Sequence, residues 1–270
     1  MSKQKITLTQ EKETLLIPLY SKALEAQRTT PILVDPKAQE ILQDIDYDFA
    51  KLEVPRQTLV TLAMRAKKLD EYVCAYLAHS FKGLVLHLGC GLDSRVLRTQ
   101  GEKANWYDLD YPDVIELRRH FYTESAHYHM LASSVTNLSW LDQVKESGPA
   151  CIVAEGLLMY LHEEEVKRLF LILQQRWPGS EFCFDAYSSL TVKGAKNHPS
   201  LKKTGAHLYW GIDDPKAIEG WASGIRLLEE WFFTQSADIP LLPARDRLLF
   251  KIMGGFSAAK RAHRILHFQL

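Results

Sequence analysis

Five residues, Leu84-Val85-Leu86-His87-Leu88, form a short, nearly unbroken apolar run that ends on Gly89-Cys90-Gly91. A run of that length bounded by glycine reads as a strand covered on both faces, which requires helices above and below it. The same rhythm returns at 105–109, 128–131, 150–154 and 182–187, with a helix opening at Pro112 and another spanning 163–177. Strands alternating with helices imply right-handed βαβ units and a parallel sheet. Beyond residue 187 the rhythm breaks. Residues 188–220 are polar and interrupted by glycine and proline, and two further strands, 226–233 and 263–270, flank a helix near 245–253. The last strand has no helix after it, so the two are expected to close the sheet as an antiparallel edge pair. The predicted fold is α/β, a seven-stranded, mostly parallel sheet.

The first eighty-two residues read as helical. Thr7 with Gln10 has capping-box spacing for a helix that carries Leu15, Leu16, Leu19, Tyr20 and Ala23 inward, with a kink expected at Pro18. A short helix is expected from Pro36. After Pro55, residues Leu59, Leu62, Ala63, Ala66, Leu69, Val73, Tyr76 and Leu77 recur at 3.6-residue spacing. No linker or repeat interrupts the chain. It reads as one domain: a helical cap (1–82), a core (83–187), a lid insertion (188–224) and closing strands (225–270).

Charge narrows the partners. Lys and Arg total 33 and Asp and Glu total 33 among 270 residues, a balance without the basic footprint of nucleic-acid or anionic-membrane binding. No apolar run approaches a membrane span, and the N-terminal residues are polar. The four cysteines, Cys74, Cys90, Cys151 and Cys183, form neither a C-x-x-C pair nor a zinc pattern. A reducing cytoplasm is the expected location.

Four features are candidates for chemistry. Gly89 and Gly91 follow the first strand at the carboxyl edge of the sheet, where ligands bind in open α/β folds, and glycine lets a ligand approach the backbone closely. A dinucleotide fingerprint would require a third glycine where Ser94 stands, so a plain strand-to-helix turn stays open as an explanation. Asp108 and Asp110 end the second strand, and a carboxylate there accepts hydrogen bonds from ribose hydroxyls. Asp110, directly before Tyr111-Pro112, suits that role, while Asp108 reads as a turn carboxylate. Glu155 is the one charged residue in 152–158. At the mouth of a buried strand it needs a cation, either a ligand ammonium or a protein arginine. Arg65 shares the apolar stripe of its helix and needs an anionic partner unless it snorkels to the edge. One cation, one ribose-reading acid and one ammonium-reading acid suit an amino-acid-bearing nucleoside such as S-adenosylmethionine. His87, inside the first strand, reads as a satisfied core residue, and no Ser-His-Asp or Cys-His constellation is apparent.

Three segments resemble the leucine carboxyl methyltransferase family: Leu-Gly-Cys-Gly-Leu-Asp-Ser-Arg (88–95), Tyr-Asp-Leu-Asp-Tyr-Pro-Asp-Val-Ile-Glu-Leu-Arg-Arg (107–119) and Ala-Glu-Gly-Leu-Leu-Met-Tyr-Leu (154–161). Ser21-Lys-Ala-Leu-Glu25, Asp35-Pro36 and the closing Arg264-Ile-Leu-His-Phe-Gln-Leu270 are similar to its bacterial polyketide branch, of the tetracenomycin type. The resemblance implies a Rossmann-like class I methyltransferase fold and S-adenosylmethionine as cofactor. It implies that Arg65, with Lys22, holds the methionine carboxylate, that Gly89 and Gly91 lie beneath the methionine, that Asp110 reads the ribose and that Glu155 lies near the amino group. Where many members carry an acid and a leucine beside the adenine, this chain has Ala132-Ser133-Ser134, leaving Ser133 or Ser134 to meet the adenine edge.

The resemblance also implies a carboxylate acceptor on a small acidic metabolite and no catalytic base, since an ionised carboxylate is already the nucleophile. Tyr187 and the insertion residues Lys193, Lys196, Lys202, Lys203, His207, Tyr209 and Trp210 are expected to form a cationic, aromatic acceptor wall, with an exposed, solvated loop as the equal alternative for the insertion. A protein C-terminal carboxylate as acceptor, a nicotinamide-dependent oxidoreductase and a non-catalytic binding protein are the competing readings.

Overall fold

The sheet is built around the apolar run from which the sequence argument started. In a computed structural model, which describes residues 4–5, 14–80, 82–195 and 205–270, that run is strand β1 (Leu84–Leu88). It is followed by β2 (Asn105–Asp110), β3 (Tyr128–Ala132), β4 (Ala150–Ala154), β5 (Glu181–Tyr187), β6 (Arg226–Phe232) and β7 (His263–Gln269). Their order across the sheet is β3-β2-β1-β4-β5-β7-β6. The first five are parallel, and β7 runs antiparallel to both neighbours, with Tyr187 opposite His263. Strand order reverses between β1 and β4, which opens a crevice at their carboxyl ends.

Alternation along the strands divides the core into two layers. Val85, Cys151, Val153 and Cys183 face a layer formed with the N-terminal helices, whereas Leu84, Leu86, Ile152, Phe182 and Phe184 face the opposite layer. The first layer is covered by α1 (Leu16–Glu25), α2 (Pro36–Asp44) and α3 (Arg56–His79). Pro18 falls in the first turn of α1, where a missing backbone N–H breaks no helical bond, so the helix needs no kink there. The proposed Thr7–Gln10 cap lies outside the described residues. Asp35 caps α2 by accepting from the Ala38 amide at 2.9 Å. On α3, Leu62, Ala63, Ala66, Leu69 and Val73 are buried at the expected spacing, and so are the charged Arg65 and Asp70.

Short α4 (Arg95–Arg98) and α5 (Pro112–Arg118) follow β1 and β2. The opposite layer is covered by α6 (Glu163–Arg176), whose Phe170 packs among Phe182, Phe184 and Phe268. Strand β5 leads into α7 (Ser189–Ala195), and α8 (Ala244–Gly255) and α9 (Ser257–Arg261) precede β7. Between α7 and β6 the chain is tied to the sheet. Ile212 donates its amide to the Tyr187 carbonyl, and the buried Arg264 side chain donates to the carbonyls of Ile212 and Asp213. None of the described helices is long and apolar enough to cross a membrane.

Candidate active site

A cavity of about 1080 Å³ opens at the β1–β4 crevice and runs toward α8 and α9. Its floor is the turn after β1. Gly89 and Gly91 both have positive φ, +64° and +51°, a conformation in which side chains other than glycine are strained. The amides of Gly89 and Cys90 donate to the Leu109 carbonyl, and that of Gly91 donates to Asp110 Oδ2 at 2.7 Å. Asp110 Oδ1 accepts from the Tyr111 amide at 2.8 Å. Burial pushes the Asp110 carboxyl up to about 6, while the two amides pull it down. A carboxylate anchored this way keeps lone pairs for ligand hydroxyls.

Asp108 is not the turn carboxylate expected of it. It is fully buried two residues earlier on the same strand, where Arg118, Tyr128 and Trp106 donate to it and His87 Nδ1 lies 3.2 Å off. Burial raises its carboxyl, but Arg118 and His87 outweigh that and hold it at about 2. His87 receives Arg95 on Nε2 at 3.1 Å, so both ring nitrogens are used. Burial keeps the ring below its ordinary pKa, as a neutral core residue.

Glu155 follows β4 and meets protein cations. Arg65 reaches Oε1 through Nε (3.2 Å) and Nη2 (3.1 Å), Arg95 donates to Oε2, and Lys22 Nζ lies 3.5 Å from Oε1. Lys22 also pairs with Asp93. Of the two partners left open by the sequence, this structure holds the protein one. Arg65 does not snorkel to the surface either: its Nη1 donates to Asp185 Oδ2 at 2.8 Å. Burial raises both carboxyls, yet the neighbouring cations hold Glu155 and Asp185 below the usual carboxylate range. The network continues through Asp70, which accepts from Arg95 and Arg98, to Asp35, which accepts from Arg98 and Ser94. It locks α2 and α3 onto the glycine turn.

Lys22, Arg65, Gly89, Gly91, Asp110, Ser133, Ser134 and Glu155 all line this one cavity. The serine hydroxyls are engaged within their own turn, Ser133 Oγ on the Ser134 carbonyl and Ser134 Oγ with Thr136. Of the proposed acceptor wall, Tyr187, His207 and Tyr209 also line the cavity. Trp210 does not. It is buried in the core against Phe184, and the Met159 carbonyl fixes its backbone. An aromatic residue in a polar segment was read as a wall, but the chain returns to the sheet there. Lys193 is exposed and outside the cavity lining. Lys196, Lys202 and Lys203 lie outside the described residues.

Three lining or supporting residues escaped sequence reasoning. Lys260 lines the cavity where it reaches α9; its Nζ sits 4.3 Å over the ring of Phe232, which is outside the lining, and has no carboxylate partner among the described residues. Asp185 is a lone acid in the apolar stretch 182–186, the same signal that singled out Glu155. His263 joins it, with Nε2 2.9 Å from Asp185 Oδ2.

The sequence model described as "Leucine carboxyl methyltransferase" matches residues 16–174, more than half of the chain. The chain belongs to the leucine carboxyl methyltransferase family. The tetracenomycin polyketide synthesis O-methyltransferase TcmP of Streptomyces glaucescens is 37% identical over 264 residues, covering 97% of this chain and 98% of its own. An S-adenosyl-L-methionine-dependent methyltransferase of Gibberella zeae, dpfgK, is 32% identical over 256 residues, 86% and 85% of the two chains. A putative methyltransferase from Thermobifida fusca superposes with a TM-score of 0.54 at 17% identity, over 94% of each chain. A DUF574 family protein from Streptomyces avermitilis does so at 0.59 and 10% identity, over 94% and 96%. These two likenesses place this family member's sheet among solved folds.

Proposed function

We propose that this S-adenosylmethionine-dependent O-methyltransferase acts on a carboxylate of a small aromatic acid and forms a methyl ester. The observation that carries the reading is Lys260, which lines the same cavity as Gly89 and Gly91 and has no acid partner among the described residues, its ammonium resting on the neighbouring Phe232 ring from which it can swing to an anion. Tyr187, Phe233 and Tyr160 line the space between, a wall suited to a flat ring.

The donor set fits the cofactor. Asp110 offers an anchored carboxylate to the ribose hydroxyls, Glu155 an anion to the amino group, and Arg65 with Lys22 cations to the carboxylate. Gly89 and Gly91 leave the methionine side free of Cβ atoms, and the turn at Ser133 and Ser134 borders the adenine end. When bound, the cofactor supplies an electrophilic sulfonium methyl group. The protein contributes orientation and exclusion of water, since an ionised carboxylate needs no base. TcmP, by its name an O-methyltransferase of polyketide synthesis, supports an oxygen acceptor.

The test is a panel of aromatic carboxylic acids with methyl-labelled cofactor. Alkali-labile label and a ten-fold or greater drop in kcat/KM for Lys260→Ala are expected. Label that resists alkali for every acid in the panel would refute the ester.

A further inference from the structure

The cavity contains a second polar device that carboxylate methylation does not use. His263 opens β7 and its ring lies flat against Tyr187, with centroids 4.2 Å apart and planes 10° apart. Phe233 closes on the ring at 4.6 Å. Nε2 faces Asp185 Oδ2 at 2.9 Å, and Asp185 is itself fixed by Arg65 at 2.8 Å and by the Gly156 amide at 2.6 Å. A ring nitrogen facing a carboxylate carries the proton, so the neutral ring presents Nδ1 as a bare lone pair. Nδ1 has no hydrogen-bond partner among the described residues, whereas His87 uses both of its nitrogens. His263, Tyr187 and Phe233 all line the cavity.

A lone pair fixed in that wall repels a carboxylate oxygen and accepts a hydroxyl hydrogen. We propose that His263, oriented by Asp185, accepts the proton of a phenolic hydroxyl, so that the cavity forms methyl ethers. The proposal rests on the methyltransferase reading of the cavity and is independent of the carboxylate acceptor.

In this step the acceptor O–H hydrogen bonds to Nδ1. The oxygen forms its bond to the methyl carbon as the methyl–sulfur bond breaks, and sulfur keeps that electron pair. The proton passes to Nδ1, and the imidazolium formed is held beside the Asp185 carboxylate until water removes the proton. Asp185 acts as a positioning residue. Burial and Arg65 depress the ring's proton affinity while Asp185 and Glu155 raise it, and burial prevails, so the ring stands neutral before reaction.

The experiment pairs 2-naphthol and larger fused-ring phenols with 2-naphthoate, using labelled cofactor and the full chain. Methyl ether is expected from the phenols. His263→Ala and His263→Gln, the latter keeping an N–H toward Asp185, should lower phenol kcat at least 100-fold. Because His263 also packs on Tyr187 and meets Asp185, 2-naphthoate turnover is expected to fall as well, but at least ten-fold less than phenol turnover. The second readout is the ¹⁵N spectrum of histidine-labelled protein near pH 7.5, expected to give His263 as the Nε2–H tautomer with Nδ1 bare. An Nδ1–H tautomer, an imidazolium at that pH, no phenol methylated, or equal losses for both acceptors would each overturn the proposal. Ester formation without ether formation removes this inference and leaves the carboxylate reading intact; ether without ester does the reverse.

Discussion

Arg65 and Glu155 stand 90 residues apart in sequence and meet at 3.1 Å, with the other arm of the guanidinium on Asp185 at 2.8 Å. The two groups proposed for the ends of a zwitterionic cofactor thus pair with each other. Under that proposal, cofactor binding is expected to be an exchange of partners: its carboxylate would take over part of Arg65 and its ammonium part of Glu155, so that no buried charge is left alone. Arg95 and Lys22 hold Glu155 meanwhile.

Removing Arg65 breaks this exchange on one side only. Arg65→Ala is expected to weaken S-adenosylhomocysteine binding ten-fold or more, about 1.5–3 kcal/mol for a charge-assisted contact. Arg65→Lys keeps the charge but loses the fork that serves Glu155 and Asp185 together, and should recover only part of the affinity. Calorimetric titration measures both, and an unchanged affinity in Arg65→Ala would take this residue out of the cofactor site.

With the ribose assigned to Asp110, cofactor binding is expected to depend on pH. Its carboxyl, pushed up to about 6 by burial, lies above the value of about 4 for an unfolded aspartate. A raised folded value means that Asp110 adds stability below about pH 4 and loses it as pH rises through 6. The ribose hydroxyls bind the ionised form, so affinity runs the opposite way. It should fall about ten-fold between pH 7 and pH 5, and Asp110→Asn should bind weakly with a flat profile. Titrations across that range test this, and a flat native profile would contradict it.

Two residues earlier on the same strand, Asp108 follows the opposite sign. Arg118 and His87 prevail over burial and hold it at about 2, so its stabilisation is present above about pH 4 and is lost as pH falls through 2. Arg118→Met leaves that carboxylate buried without its cation, at an expected cost of about 3–5 kcal/mol in urea unfolding at pH 7. Adding Asp108→Asn should restore part of that loss. Because Arg118 also donates to the Gly91 carbonyl at 2.9 Å, the single variant should bind cofactor less tightly as well. A loss below 1 kcal/mol would mean that the neutral donors Trp106 and Tyr128 suffice.

What the sequence disclosed divides along physical lines. Apolar runs ended at or near glycine placed β1 and β4 to the residue, because parallel strands covered on both faces read as near-continuous apolar runs. The antiparallel β6–β7 edge followed from a final strand with no helix after it. Isolated charges in apolar surroundings marked Arg65 and Glu155, but periodicity says nothing of what stands opposite, so their mutual pairing was not legible. Asp185 carried the same signal in 182–186 and passed unused. His263 carried none: only the antiparallel register that sets it against Tyr187 brings its ring to Asp185. Trp210 was misjudged because an aromatic residue in a polar segment looks alike whether it faces a ligand or the core.

The glycine turn offers a test that separates backbone strain from loss of ligand space. At Gly89, φ is +64° and an added Cβ would meet Leu157 Cδ1 at 3.0 Å and Leu157 Cβ at 3.2 Å. Left-handed backbone costs a residue with a Cβ about 1–2 kcal/mol, and Leu157 lines the same cavity. Gly148 also has positive φ, +94°, but its Cβ would meet nothing within 4 Å, and it lies outside that cavity. Gly89→Ala and Gly148→Ala should therefore both lower the urea midpoint, with the larger loss at Gly89. Only Gly89→Ala should also weaken S-adenosylhomocysteine binding, by ten-fold or more, as Leu157 is driven into the space above the turn. Equal affinities for the two variants would show that the cofactor does not pass over Gly89.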